Sequence, residues 1–123
     1  MTTPDLDVTA LHFREDQSPF LSPRRTCEVL GVTQAELAKL IGVARNTLTA
    51  ASGARTVDLA LSPVVRILAM AAEMAGDESR AVIWFKHQPI PGWAGKTAYD
   101  LVGEGKSGKV LSYLEAVRSG VYA

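Results

Sequence analysis

The chain has little of what most metalloproteins and secreted proteins depend on. Its 123 residues include one cysteine, Cys27, and two histidines, His12 and His87. One cysteine cannot form an internal disulfide or a cysteine-rich zinc site, and this usage suits a reducing compartment. The two histidines are far apart in the sequence and have no second ligand at helical or loop spacing. We therefore predict no metal site and no cofactor.

Long apolar runs and net charge are also missing. No run approaches the roughly 20 residues of a membrane span, and the first residues, MTTPDLDVTALHF, have acids where a signal peptide has basic residues. We expect a cytoplasmic protein without a membrane partner. Thirteen basic and thirteen acidic residues cancel, so any contact with nucleic acid must be local. A local excess of six basic over three acidic residues lies in residues 24–66.

Capping signals predict helices along most of the chain. At two of its three occurrences, residues 22–23 and 62–63, the dipeptide Ser-Pro predicts an N-cap followed by a proline in the first turn. Thr33 with Glu36 is a capping box. Two prolines and two glycines in HQPIPGWAG exclude a helix over residues 87–95. The pattern predicts an all-α fold of about seven helices with no strand pair.

The same signals divide the chain into three parts. Residues 1–21 show no sustained period and predict a flexible N-terminal arm. Residues 22–66 hold the basic helices, and residues 67–123 hold the later helices with the proline-rich loop. We expect the second and third parts to pack together.

A helix-turn-helix is predicted within TQAELAKLIGVARNTLTA, residues 33–50. Counting Gln34 as the first position, Ala38 falls at the fifth, where two helix backbones approach, and Gly42 at the ninth, where the turn needs a positive φ. The apolar positions are filled by Leu37, Ile41, Val43 and Leu48. A plain helical hairpin with the same core is the alternative.

Outward side chains at the start of the second helix are those that reach base edges in such a pair. They are Arg45, Asn46 and Thr49, and Gln34 and Thr47 are placed for phosphate contacts. Arginine with guanine and asparagine with adenine are chemically plausible pairings. The helix ends in Ala-Ala, where basic or aromatic residues are common in strong DNA readers. We therefore expect useful DNA binding only from a dimer or a larger assembly.

Basic and aromatic residues mingle in the last third of the chain. They include Trp93, Lys96, Lys106, Lys109, Arg118 and Tyr122. Aromatic bodies with polar tips are enriched at interface centres, which favours a partner protein. Burial in the helical core is the competing interpretation for Tyr99 and Tyr113. Tyr122 follows the glycine that stops the last helix, and a short apolar tail is readily ordered by inserting into a partner's cleft.

An Xre-like helix-turn-helix followed by GKTAYDLV and EGKSGKVLSYLEAVRSGV resembles the Xre/MbcA/ParS antitoxins, in particular a ParS-type member. The resemblance covers residues 24–123 and is most specific over residues 95–121. It implies a C-terminal region that binds a RES-domain toxin. Such a toxin consumes NAD, either by ADP-ribosylating a target protein or by destroying NAD itself. The resemblance also implies an N-terminal half that dimerises and binds the operon promoter.

The resemblance assigns roles to residues near the C-terminal end. The family's Gly-Lys/Arg-Thr-Pro turn corresponds to residues 95–97, with Ala98 in place of the proline. The final glycine and the end that would reach the toxin's active-site cleft correspond to Gly120, Val121, Tyr122 and Ala123. A pocket that holds NAD phosphates should attract basic side chains. The candidates for that contact are Lys106, Lys109 and Arg118.

Two other functions compete with an antitoxin. GEGKSGKV, residues 103–110, contains the GxxxxGK of a phosphate-binding loop, but Val110 stands where a Mg²⁺-ligating Ser or Thr belongs, and the preceding segment reads as a helix. Cys27 reads as core filler, so we predict that the chain is not an enzyme. The stronger alternative is a stand-alone transcriptional regulator whose C-terminal helices only dimerise. It predicts operator binding that depends on Arg45 and Asn46.

Overall fold

Seven α-helices joined by short turns make up the described part of the chain. A computed structural model describes residues 12–15 and 18–120. The helices are α1 (Pro23–Leu30), α2 (Gln34–Ile41), α3 (Arg45–Thr49), α4 (Ala54–Ala75), α5 (Glu78–His87), α6 (Ala98–Gly103) and α7 (Ser107–Arg118). A short 3₁₀ turn, Ala51–Gly53, joins α3 to α4. Within these residues the β pairing consists of two isolated bridges, and the predicted all-α fold is confirmed.

Most helix starts follow from side chains three residues apart. Thr33 and Glu36 form the predicted capping box of α2, with donor–acceptor distances of 3.1 and 2.8 Å. Thr97 and Asp100 form a second box at α6, at 3.0 and 3.1 Å. Ser22 caps α1 with its hydroxyl. Each cap satisfies backbone N–H groups that have no partner inside the helix.

The prediction of a helix start at residues 62–63 is wrong. Helix α4 runs without a break over 22 residues, and this proline lies in its interior. Because proline has no N–H, the carbonyl of Leu59, four residues earlier, loses its helical hydrogen bond. Leu59 is 68% exposed, so water can hydrate this carbonyl. Val57 and Leu61, on the buried side before the proline, hold the first half of the helix in the core.

Helix α4 lies at the centre of one hydrophobic core. It packs against α3, α5 and α7, and α2 packs against α6. Leu61, Val64 and Ile67 of α4 are fully buried, and each such side chain stabilises the fold by about 1.5–3 kcal/mol. The same cluster includes Leu37 from the second predicted part and Leu101 from the third. The boundary predicted between residues 66 and 67 falls inside α4.

The length and apolar composition of a helix determine whether it can span a membrane. Among the described residues, no single helix has both the length and the apolar composition that a span needs, although the bent pair Ala51–Ala75 and Glu78–His87 reaches them in combination.

The described part of the predicted arm packs on the helices. Phe13 is fully buried, and its carbonyl accepts a hydrogen bond from the N–H of Ser22 at 2.6 Å. The N–H of Leu21 donates to the carboxylate of Asp58 on α4 at 2.8 Å. This segment is therefore tied to the core at Phe13 and Leu21. The rest of the predicted arm, residues 1–11 with 16 and 17, lies outside the described residues.

Glu15 fastens this segment to α1. Its Oε2 accepts hydrogen bonds from Ser22 Oγ at 2.6 Å and Arg24 Nε at 2.9 Å, and its Oε1 accepts one from Arg24 Nη2 at 2.7 Å. The bond from Arg24, followed by that from Ser22, lowers the pKa of Glu15 from 4.5 to about 2. The same pairing raises the pKa of Arg24.

The contribution of Glu15 to stability should depend on pH. Because its folded pKa lies below the unfolded value, the ionised carboxylate stabilises the fold above pH 4.5, and this contribution is lost as the pH falls toward about 2. We expect Glu15→Gln to be less stable than the wild type at neutral pH. The difference should shrink between pH 4.5 and about 2. Urea unfolding of both proteins across this range measures it, and a constant difference would contradict the lowered pKa.

Candidate functional site

The predicted DNA-contact residues lie on α2 and α3. These helices are joined by a three-residue turn, residues 42–44, and the buried residues Leu37, Ala38 and Leu48 lie on them. Gly42 ends α2 with a φ of +75°, the left-handed conformation that the sequence predicted there. The two helices and their turn thus occur where predicted. That they form a DNA-reading unit stays a prediction.

We call the predicted DNA-contact residues the α2–α3 face; they are Gln34, Arg45, Asn46, Thr47 and Thr49. All except Thr47 are exposed, and Thr47 is half-buried. The N-cap position of α3 is an alanine that makes no side-chain cap. The structure therefore presents the predicted guanidinium, amide and hydroxyl groups at a surface that a large ligand can reach.

Gly53 sets how closely the chain after α3 approaches that helix. A Cβ at this position would lie 2.5 Å from the carbonyl oxygen of Thr47 and 2.9 Å from its Cγ2. Both distances are shorter than van der Waals contact, so the backbone of α3 would have to shift. Sequence reasoning missed this close approach, because no local pattern shows which backbone lies opposite the glycine.

Substitution of Gly53 should therefore destabilise the fold. We expect Gly53→Ala to lower the free energy of unfolding by about 1–3 kcal/mol, because the added methyl overlaps the backbone of α3. Gly108→Ala is the matched control, since a Cβ on Gly108 meets nothing within 4 Å. Because alanine favours helix over glycine, this control should gain up to about 0.5–1 kcal/mol. Urea unfolding measures both, and equal effects would contradict the close approach.

The predicted toxin-binding residues begin in the loop between α5 and α6. Within residues 88–97, the N–H of Ile90 donates to the carbonyl of Lys96 at 2.8 Å, and the N–H of Lys96 donates to the carbonyl of Trp93 at 3.0 Å. The side chain of Ile90 is buried in the core. The loop is thus closed by its own hydrogen bonds and anchored by one apolar residue.

Three residues of this loop have a positive φ. They are Gly92 at +86°, Ala94 at +54° and Gly95 at +83°. Ala94 is the only non-glycine residue with a positive φ within residues 12–15 and 18–120. A left-handed alanine costs about 1–2 kcal/mol, so the surrounding hydrogen bonds must hold it in place. The hydrogen bonds of the loop therefore oppose the strain at Ala94.

The loop and the turn between α6 and α7 bring four side chains together, which we call the Trp93 cluster: Trp93, Lys96, Glu104 and Lys106. Lys106 Nζ lies 5.7 Å from the centroid of the Trp93 ring, within the range of a cation–π contact. Glu104 Oε1 accepts hydrogen bonds from Lys96 Nζ at 2.9 Å and from Lys106 Nζ at 3.1 Å. Those bonds, from Lys96 first, lower the pKa of Glu104.

The sequence predicted three members of the Trp93 cluster but missed Glu104. An acid between lysines in GKTAYDLVGEGK is ordinary surface composition, and no spacing shows that the loop returns to it. The fold brings Lys96 and Lys106, ten positions apart, onto one carboxylate. The cluster is therefore a product of tertiary packing between the loop and the α6–α7 turn.

The other predicted toxin-binding residues lie on α7 and after it. Lys109 is exposed in the first half of the helix. Arg118, the last residue of α7, pairs with Glu115 and lies 3.9 Å from Glu73 of α4. Gly120 follows with a φ of +85°. Val121, Tyr122 and Ala123 lie outside the described residues.

An apolar cleft adjoins the last turns of α7. Met74 of α4, Trp84 of α5, and Tyr113 and Val117 of α7 are among its lining residues. Met74 is exposed and lies one residue before the end of α4. The cleft gives this end of the molecule an apolar surface beside the arginine that ends α7.

Cys27 and the glycine-rich residues 103–110 are the two sequence features that catalysis could use. No group of three or more His, Cys, Asp or Glu side chains in the described part of the chain could hold a metal ion. Burial raises the pKa of the Cys27 thiol, which keeps it protonated and weakly nucleophilic. Residues 98–103 form helix α6, so the strand that a phosphate-binding loop requires before residues 103–110 is a helix instead.

Comparison with known proteins gives one match. Residues 70–120 match the family model described as the antitoxin Xre/MbcA/ParS C-terminal toxin-binding domain. The match runs from the second half of α4 through α7 and includes the Trp93 cluster. The comparisons with curated proteins and with solved structures gave no match. The match confirms the resemblance inferred from the sequence over residues 70–120.

Proposed function

We propose that the chain is an antitoxin of the Xre/MbcA/ParS family, to whose toxin-binding domain residues 70–120 match, and that it binds and neutralises a RES-domain toxin that consumes NAD. The family match, which is to a toxin-binding domain, carries this proposal. A RES-domain partner is the part of the proposal that rests on the sequence resemblance. The chain acts by binding and not by catalysis, so its effect depends on the number of toxin molecules it occupies.

The end of the chain after α7 is the part proposed to enter the toxin's active-site cleft. Arg118 ends α7, and the positive φ of Gly120 turns the backbone away from the helical path. A guanidinium beside this turn suits a cleft that holds the phosphates of NAD. Gly120, Val121, Tyr122 and Ala123 then fill the space that NAD needs. The apolar cleft at Met74 and Val117 offers the rim of the toxin a second, apolar contact.

A shortened chain tests this mechanism. We expect the protein encoded by the adjacent open reading frame to stop growth and deplete cellular NAD when expressed alone, and the full chain to restore both. A chain that ends at Ser119 should fail to restore them, because it lacks the residues that occlude the cleft. Growth and cellular NAD are the measurements, and circular dichroism establishes that the shortened chain keeps its helices.

The control for this experiment is a deletion of equal size, residues 2–5, which lie outside the family match. It should neutralise the toxin as the full chain does. Full neutralisation by the chain ending at Ser119 would reject occlusion by the tail. Absence of toxicity from every neighbouring reading frame would favour the alternative, a stand-alone transcriptional regulator with a C-terminal dimerisation region.

We further propose that the α2–α3 face binds operator DNA and represses the chain's own operon. The exposed Arg45, Asn46 and Thr49 support this proposal, because their side chains suit base edges and phosphates. Helix α3 has five residues and offers few base contacts, so one copy should bind weakly. A homodimer with two such helices, about 34–36 Å apart, would read two half-sites.

Replacement of the base-reading pair tests this role. We expect the double variant Arg45→Ala, Asn46→Ala to weaken binding to the operon's promoter fragment by at least about tenfold, because each bidentate base contact contributes about 1–3 kcal/mol. Fluorescence anisotropy with labelled promoter DNA measures the affinity. Arg80→Ala, on α5, removes an exposed arginine elsewhere and should leave it unchanged. Wild-type affinity in the double variant would show that α3 is not the recognition helix.

A further inference from the structure

We propose that the Trp93 cluster is a second contact surface for the toxin and that it binds acidic side chains on the toxin's surface. This inference rests on the proposed antitoxin function and adds a binding site to it. Lys106 immediately precedes α7, and Gly120 lies just past its end. A helix of 12 residues is about 18 Å long. The cluster and the C-terminal end therefore lie at opposite ends of α7 and engage different parts of a partner.

The rigidity of the loop supports a role in binding. Hydrogen bonds from Ile90 to Lys96 and from Lys96 to Trp93 close it, and Ala94 is held at a φ of +54°. A solvent-exposed loop without a binding role could place glycine at position 94 and avoid this strain. A loop that is already ordered loses little conformational freedom when a partner binds, so more of the contact energy appears as affinity.

The charges of the cluster indicate the chemistry of its partner. Two ammonium groups and one carboxylate leave one net positive charge. Lys96 and Lys106 each have three donors, and both hydrogen-bond to Glu104 while their side chains stay more than two-fifths exposed. Donors are thus left over for a carboxylate from outside. The half-buried Trp93 ring beside Lys106 provides an apolar surface for the methylene groups of an Asp or Glu.

Glu104 favours a protein partner over a nucleic acid. The carboxylate of Glu104 holds the ammonium groups of Lys96 and Lys106 close together. These two side chains are therefore already ordered before a partner binds. The same carboxylate lies at the centre of the cluster and would repel a continuous row of phosphates. Discrete carboxylates on a folded surface can approach the lysines from the solvent side and avoid Glu104. The cluster is therefore suited to acidic residues of the toxin.

The test compares single charge changes in the full chain. Lys106→Gln removes one of the two ammonium groups and leaves the Lys96–Glu104 pair, so the loop stays tied to the α6–α7 turn. We expect it to weaken binding to the purified product of the adjacent reading frame by about tenfold and to reduce the salt dependence of the affinity. Lys106→Arg keeps the charge and should retain most of the binding. Biolayer interferometry at two ionic strengths measures both quantities.

Arg80→Gln is the matched control. The side chain of Arg80 is 75% exposed. Arg80 lies at the start of α5, whereas the loop follows the end of that helix. The substitution removes one positive charge, as Lys106→Gln does. We expect it to bind the toxin as the wild type does. Circular dichroism of the free proteins at the assay temperature should show equal helix content for Lys106→Gln, Arg80→Gln and the wild type, which separates loss of a contact from loss of the fold.

Several outcomes would overturn the inference. If the wild type binds the toxin and Lys106→Gln binds equally well with the same salt dependence, the cluster is not a contact, and the antitoxin function still stands. If Lys106→Gln lowers affinity for promoter DNA and leaves toxin binding unchanged, the partner is a nucleic acid. If the wild type binds no toxin in the assay, the antitoxin function fails together with this inference.

Discussion

Burial of the apolar side of α4 is the interaction on which the other contacts depend. Nine residues of this helix are buried, and α3, α5 and α7 all pack against it. The helical pair with the α2–α3 face and the elements that carry the Trp93 cluster thus share one core and have no separate ones. Removal of one large aliphatic side chain from such a core costs about 2–5 kcal/mol, a large part of the 5–15 kcal/mol by which proteins of this size are stable.

The features that sequence reasoning predicted correctly are those whose cause is local. A Thr and a Glu three residues apart determine a capping box at residues 33–36, whatever lies elsewhere in the chain. The same holds for the positive φ of Gly42 at the end of α2. The proline-rich stretch between α5 and α6 was predicted as a loop for a similar reason.

The features that sequence reasoning missed depend on residues distant in the chain. The Ser-Pro pair at residues 62–63 has a strong local start signal, but the packing of Val57 and Leu61 against the core continues the helix through it. Phe13 belongs to a segment without a sustained hydrophobic period, although its side chain is fully buried. Glu104 belongs to a candidate site because the loop folds back onto it, and no local pattern predicts that contact.

The N-terminal segment changes how the local charge of the helical pair should be understood. Six basic and three acidic residues in residues 24–66 predicted a basic region, but Glu15, from outside that range, pairs with Arg24 on α1. Arg24 also pairs with Glu28. The positive charge available for a polyanion therefore lies nearer to Arg45, whose side chain is exposed.

One shared core has a consequence for dosage. The chain is proposed to act by occupying its partner and not by turnover. Each copy that unfolds therefore leaves one partner molecule without an inhibitor. Helix α4 belongs to the core under both the α2–α3 face and the Trp93 cluster. A destabilising substitution near α3 therefore reduces the number of folded Trp93 clusters, as a destabilising substitution beside the cluster does. A loss of about 1.4 kcal/mol in stability raises the unfolded fraction about tenfold. For a protein with the proposed function, the amount of active inhibitor is then set partly by side chains that its partner never contacts.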